Sequence, residues 1–412
     1  MEIRPILSTV LRNPVGLILI GLQVALTLAI VVNALYIIDE RLANLRIEAG
    51  VDEEHILTLN SAGFASDFET TLATIHRDLD YLRKRPGVVS AMATNTLPLT
   101  QSGWSTEVEA QEALDGRSID TAIYFADETL VETLGLDLIA GRAFREAEVE
   151  PYSMDQELRS TAVIVSAAAA LALYPEIDRP EQALGRLVWN GAENDRFSAE
   201  IVGIVDGVKA PWKGLSSDIF DHVVYVPKVP VIANFGIYAV RSEPGAFADL
   251  LQNIQPELAE LDTQRVVMEP NAFPEIRERF LRGDRAMAGM LITVVVLLLL
   301  VNILGIVGLV SFWVTQRTRQ IGTRRALGAT RGNILAYFLV ENALISAMGV
   351  AVGIVAALAL NNWLVSAFGV DRLPWAFLVG GAAGLLVLGI AAACVPALRA
   401  AAIPPAIATR SV

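Results

Sequence analysis

The chain has 412 residues, enough for two or three domains; 53% are hydrophobic, 19% are charged, and the formal net charge is −13. Charge is scarcer and apolar content higher than in ordinary soluble domains, and an acidic chain offers no electrostatic ground for holding nucleic acid. The single cysteine, Cys394, excludes an intrachain disulfide, and His55, His76 and His222 lack ligand spacing, so no metal site is expected.

Residues 1–14 form a short lead carrying Arg4 and Arg12. A bilayer core about 30 Å thick needs roughly 20 apolar residues as helix. Residues 15–38 (VGLILIGLQVALTLAIVVNALYII) meet that need. The stretch is too long for a signal peptide, has no A-x-A site after it and contains Gln23 and Asn33, so a retained membrane helix is expected.

Residues 39–285 have the composition of a soluble domain. HILTLNSAGF from His55 reads as a strand, and Phe68–Arg85 carries a helical stripe of Leu72, Ile75, Leu79 and Leu82 that Pro86-Gly87 ends. VVSAMATNTLPL from Val88 returns as a strand, completing a β-α-β unit. A second unit follows: NFGIYAVRS from Asn234, a helix in AFADLLQNIQPELAELD from Ala246, and RVVMEP from Arg265. The two units can share one sheet with helices on one face. Residues 103–222 then form an inserted smaller lobe, with short strands (TAVIVS from Thr161, AEIVGIVDGV from Ala199) and a helix near Ala167–Tyr174. Phe273–Arg285 is helical, charged and continuous with the next apolar block. At about 1.5 Å per residue it extends that block by roughly 20 Å.

Three further spans are expected at 286–314, 334–365 and 375–398, separated by a basic segment at 315–333 and a short loop at 366–374, with a tail at 399–412. The fold class is an integral membrane α-helical protein with four transmembrane helices and a large α+β domain. Arg317, Arg319, Arg324, Arg325 and Arg331 fall on the same side as Arg4, Arg12, Arg399 and Arg410 if the spans alternate. By the positive-inside rule that side is the cytoplasm. No Asp, Glu, Lys or Arg sits mid-span, which speaks against an ion-coupled transporter. Gln23, Asn33 and Asn302 are expected to bond between helices, and Glu341 lies within reach of a loop arginine. Gly349 with Gly353, and Gly380 with Gly384, are small-residue pairs suited to close helix packing, within the chain or against a second permease copy.

QRTRQIGTRRALGATRGN, from Gln316, is basic with Ile321, Ala326 and Leu327 as an apolar minority. Gly328 is placed to stop a short helix and Thr330 to cap the next. On physics alone, an interfacial helix resting on anionic headgroups explains this as well as a docking surface does.

RTRQIGTRRALGAT also resembles the signature loop of FtsX-like, MacB-like permeases of ABC transporters, the type VII or mechanotransmission class. YFADETLVETLGLDLIAGRAF from Tyr124, AVIVSAAAALALY from Ala162, ALGRLV from Ala183, FSAEIVGIVDGV from Phe197 and VPALRAAAIPPAIATR from Val395 are similar to other parts of that family. The resemblance implies one span, a large two-lobed periplasmic domain of a porter-like lobe and an inserted one, and then three spans, in the bacterial inner membrane. It implies work in pairs with two copies of an ABC ATPase subunit. Arg317, Arg319, Gln320, Ile321, Gly322, Arg324, Arg325, Ala326, Leu327 and Gly328 would form the ATPase-coupling segment. Motion would pass to the periplasmic domain, serving efflux of peptides, drugs or toxins through a periplasmic adaptor and an outer-membrane duct. The alternatives are a regulatory scaffold activating a cell-wall hydrolase, or a lipoprotein-extraction permease. The family usually has Glu where Gln320 stands; this departure favours an unequal pair with a sibling permease over two copies of one chain. No G-x-x-x-x-G-K-S/T loop occurs in the sequence, so ATP is expected in the partner, with no cofactor and no catalytic residue in this chain.

Overall fold

Pro14 opens the first helix, α1 (Pro14–Asn44), where its missing N–H would have no partner in any case. Ile20, Val24, Leu28 and Val32, one per turn, are buried, while Leu19, Leu22 and Leu26 are exposed. This and all that follows comes from a computed structural model, which describes residues 14–63, 67–110, 118–190, 197–213, 217–232 and 235–403. Arg4, Arg12 and Arg410 lie outside the described residues. The chain divides into an α+β unit, Ile47–Arg282, and a helical unit, Met1–Arg46 with Gly283–Val412.

In the α+β unit the chain begins with β1 (Ile56–Gly63), α2 (Phe68–Lys84) and β2 (Val88–Thr94). It continues through β3 (Trp104–Ala110), β4 (Ser118–Ala126), α3 (Leu130–Leu134), β5 (Asp137–Gly141) and β6 (Glu150–Tyr152). Next come β7 (Ala162–Ser166), α4 (Ala167–Leu173), β8 (Leu187–Asn190), β9 (Phe197–Asp206) and β10 (Val223–Pro230). The unit returns with β11 (Phe235–Ser242), α5 (Phe247–Glu260), β12 (Arg265–Val267) and β13 (Asn271–Ala272).

The early and late pieces share one antiparallel sheet, ordered β12-β1-β11-β2, with β13 beside β1. Asp67 caps α2 by accepting from the Thr70 N–H at 2.9 Å. Leu57 and Leu59 of β1 pack with Ile75, Leu79 and Leu82 of α2 and with Leu250, Ile254 and Leu258 of α5. One charge pair lies inside that layer. Asp78 of α2 accepts from Arg265 of β12, and at 2.7 Å from the Tyr238 hydroxyl. Arg265 also donates to the Leu258 carbonyl at 2.7 Å.

β2 ends at Thr94, short of the expected run to Leu99. Asn95 turns its amide to β4, accepting from the Phe125 N–H at 2.9 Å and donating to the Ile123 carbonyl at 3.0 Å. Pro98 has no N–H to give a ladder, and Leu99 and Gln101 take φ of 64° and 63°.

The inserted strands form a sheet of eight against five in the other. Its order is β4-β3-β8-β9-β7-β10-β6, and parallel pairing of β4 with β10 closes six of these strands on themselves. β5 is attached to β9 and β6 to β10. Closure removes edges that would otherwise invite pairing with other chains. Val108, Phe125, Val165, Ile201 and Val224 share the core with Ala169, Ala170 and Leu173 of α4. Sequence patterning shows the strands here and not their closure.

The remaining helices are α6 (Phe273–Gln316), α7 (Thr318–Ala326), α8 (Arg331–Phe368) and α9 (Trp375–Ala401). Among the described residues α1, α6, α8 and α9 are long and apolar enough to cross a bilayer, as befits a membrane protein. α6 is a single helix of 44 residues. In the helical unit, Gly349 and Gly353 of α8 lie against α1. A Cβ on Gly349 would come within 2.8 Å of the Gly21 carbonyl oxygen, and one on Gly353 within 3.0 Å of Ala25. That pair packs within the chain. A Cβ on Gly380 or Gly384 would meet nothing within 4 Å among the described residues, and it is Gly381 that meets Val32.

The polar residues at membrane depth differ among themselves. Gln23 donates to the Val301 carbonyl at 2.9 Å in space left by Gly305. Asn33 donates to the Ala29 and Ala357 carbonyls at 2.8 and 3.1 Å. Asn302, expected to bond between helices, is 1% exposed and its amide has no partner among the described residues.

Candidate functional site

The basic segment begins where α6 gives way to α7 at Arg317, with φ −100° and ψ 10°. The backbone stays bonded across the joint: Arg317 N–H donates to the Trp313 carbonyl and Ile321 N–H to the Arg317 carbonyl, both at 2.9 Å. Thr318 directs its hydroxyl to the Val314 and Thr315 carbonyls, each at 2.9 Å, a contact that bends helices.

The Arg317 side chain turns inward. Its Nη1 donates to both oxygens of Glu341 on α8, at 2.9 and 2.8 Å. The two side chains are 14% and 3% exposed. The guanidinium also lies 5.9 Å from the centre of the Trp313 ring. A charge pair so sheltered is weakly screened by salt, and either partner left alone would be a buried, uncompensated charge.

α7 rests on an apolar underside. Ile321 and Gly322 are buried, and Ile321 packs with Ile334 and Phe338 of α8 and Ala397, Ala400 and Ala401 of α9. Arg325 donates to the Ile403 carbonyl, and Arg324 stacks over Tyr337 at 5.0 Å. Gly328, at φ +97°, ends the helix. Its N–H donates to the Arg325 carbonyl at 3.1 Å and that of Ala329 to the Arg324 carbonyl at 3.0 Å, a Schellman closure that needs the left-handed residue. Thr330 then caps α8, accepting from the Asn333 N–H at 3.2 Å.

The ten residues singled out from the sequence therefore sort by direction. Arg317, Ile321, Gly322 and Arg325 are committed to holding the segment. Arg319, Gln320, Arg324, Ala326, Leu327 and Gly328 are exposed. Arg319 forms no ion pair among the described residues. Leu327 is 83% exposed at the turn, a large apolar side chain amid cations. Gln320 borders a small hollow shared with Arg317 and Arg324. Sequence reasoning placed Glu341 within reach of a loop arginine, and Arg317 is that arginine. It did not find Ile334, Tyr337 and Phe338 as the seat of the segment. Their spacing with Glu341 at three and four residues, one face of α8, was the available signal.

A bundle of four bilayer-length helices, a two-sheet α+β unit between the first and second of them, and a basic segment seated between the second and third define a polytopic permease-like membrane protein. Residues 292–405 match the family described as FtsX-like permease C-terminal. The chain is 26% identical over 286 residues to the macrolide export ATP-binding/permease protein MacB of Bartonella quintana, covering 67% of this chain and 40% of that protein. It is 29% identical over 235 residues to the uncharacterized ABC transporter permease YknZ of Bacillus subtilis, covering 55% of this chain and 57% of that one. Among solved structures, the extracellular domain of the noncanonic ABC-type transporter YknZ from Gram-positive bacteria aligns with 51% of this chain at 18% identity and a TM-score of 0.31. Over residues 292–405 the chain carries an FtsX-like permease C-terminal region, and it is similar to ABC transporter permeases of the MacB and YknZ kind. It spans 40% of the length of the MacB relative and 57% of the YknZ relative.

Proposed function

We propose that the chain is the permease subunit of an ABC-type exporter of the bacterial inner membrane, and that residues 317–328 receive an ATP-hydrolysing subunit on the cytoplasmic side. The observation that carries this reading is Leu327. A leucine 83% exposed at the end of a basic helix whose other face is buried is built for contact rather than for its own fold. An interfacial lipid helix would bury its apolar face in the membrane; here Ile321 is spent against α8 and α9. The Arg317–Glu341 pair makes the segment a firm handle, so that a push on it passes into α6 and α8 rather than being lost in a loop.

In this reading two ATPase copies act on a pair of permeases, with a sibling chain as the second member. α6 carries the stroke toward the α+β unit, which lies in the periplasm. Motion there serves efflux of peptides, drugs or toxins through a periplasmic adaptor and an outer-membrane duct. In this reading the ATP is consumed by the ATP-hydrolysing subunit, and the segment at 317–328 only receives its motion.

The test is capture of the ATPase from native membranes by the tagged full chain. Leu327→Asp is expected to lower its retention at least about tenfold, and Arg319→Glu by less, while both variants insert and fold normally. Retention unchanged in both variants would contradict docking at this segment.

A further inference from the structure

A cleft of about 310 Å³ opens in the α+β unit, bounded by β1, β11, β13, the start of α6 and residues 95–102. Alternation along β1 sends Leu57 and Leu59 toward α2 and α5 and leaves Thr58 and Asn60 on the other face. That face is apolar at Ile56, which joins the core with Met92, Ala239 and Phe273. It then turns polar where the cleft begins. Asn271 of β13 adds a second amide, and Phe235 of β11 and Phe280 of α6 add two aromatic rings.

The fourth wall is held in an uncommon shape. Leu99 and Gln101 are left-handed though neither is glycine. The Gln101 N–H donates to the Pro211 carbonyl at 2.8 Å, and the Thr100 hydroxyl to the Leu97 carbonyl at 2.8 Å. Thr96 and Thr100 join hydroxyls at 2.7 Å. The turn thus lines the cleft instead of filling it, and non-glycine residues in this region of backbone space collect at ligand sites.

Arg279 of α6 stands at the rim. It is exposed, its guanidinium reaches the Asn271 side-chain oxygen at a long 3.4 Å, and it forms no ion pair among the described residues. It is also the one charged side chain in the lining among the described residues.

We infer that this cleft binds a small molecule bearing one carboxylate beside amide groups and an apolar side chain, which is the chemistry of a short peptide with a free C-terminus. Arg279 offers a planar fork that matches a carboxylate. Asn60 and Asn271 each present a donor and an acceptor, the complement of a peptide group. Phe235 and Phe280 receive the side chain. A phosphate would call for more than one cation, and an uncharged ligand would leave Arg279 unused. The volume lies at the small end for ligand sites and admits roughly two or three residues, not a macrocycle or a folded domain. None of this depends on the docking of an ATPase.

The test uses the full chain in lipid nanodiscs and saturation-transfer NMR, with acetyl-Ala-Phe as the free acid and as its C-terminal amide. The acid is expected to bind at least about tenfold more tightly than the amide. Arg279→Gln, a substitution at an exposed rim position, should erase that difference, and Asn60→Leu should weaken both probes. Equal binding of acid and amide to the unaltered chain, acid binding that survives both substitutions, or no transfer to either probe at millimolar concentration would overturn the assignment.

Discussion

Among the described residues two arginine–carboxylate pairs are sheltered on both sides, and they serve different purposes. In the α+β unit Asp78 and Arg265 are 0% and 2% exposed, in one network with Tyr238 and the Leu258 carbonyl. They join a helix, a central strand and an edge strand, and the surrounding residues are apolar core. In the helical unit Arg317 and Glu341 sit at a joint between helices, and beyond them comes a segment whose exposed Arg319 and Arg324 form no ion pair among the described residues. The first pair fixes a scaffold from inside. The second fixes the angle of a handle that faces outward. Burial alone does not separate these roles; what separates them is whether the arginine lies in a closed layer or at the root of an exposed element.

Breaking the first pair should have the largest effect. Arg265→Met strands Asp78 in the core and is expected to destabilise the α+β unit by about 3–5 kcal/mol. Thermal unfolding of the full chain in detergent, followed by limited proteolysis, reads this. The double variant Asp78→Leu with Arg265→Met should recover most of the loss. If the single variant melts like the parent, the pair is not the scaffold element described.

The second pair sharpens the contrast by leaving the fold intact. Glu341→Gln should loosen α7 alone: its amides are expected to exchange hydrogen at least about tenfold faster, a local loss of about 1.4 kcal/mol. The strands of the α+β unit should exchange as before. Exchanging the charges, Arg317→Glu with Glu341→Arg, should restore part of the protection.

The smallest effect expected is one of pH. The Arg85 guanidinium, hydrogen bonded at 2.7 Å, holds the Glu257 carboxyl below its ordinary value of 4.5. A depressed carboxyl stabilises the fold fully above that ordinary value and less as the pH falls through the lower folded value. Melting temperatures between about pH 3 and 6 should therefore fall more steeply in the parent than in Glu257→Gln. The pair is partly exposed, so the difference should be slight.

Features that depend on neighbours in sequence were legible beforehand. The apolar blocks, the stop at Gly328 and the cap at Thr330 rest on a few adjacent residues, and so do the helix from Phe68 and its end at Pro86-Gly87. Features that depend on distant partners were not. Asp78 and Arg265 lie 187 positions apart, and the barrel closes through β4 and β10 with most of the inserted lobe between them. The strand from Val88 stops short of its sequence pattern because the Asn95 amide is bonded to β4, a partner some thirty positions away. The basic segment at 317–328 was legible as a segment, but the division between residues that hold it and residues that it presents needed α8 beside it.

The central claim, that an ATP-hydrolysing partner is received at this handle, is tested most directly by site-specific photo-crosslinking in native membranes. A benzophenone amino acid is placed at Leu327, with Phe338 on the buried side as control. The expected result is a crosslinked product at Leu327 containing a nucleotide-binding protein with a Walker loop, and none at Phe338. Crosslinks from Leu327 to lipid alone, or to no nucleotide-binding protein, would contradict it.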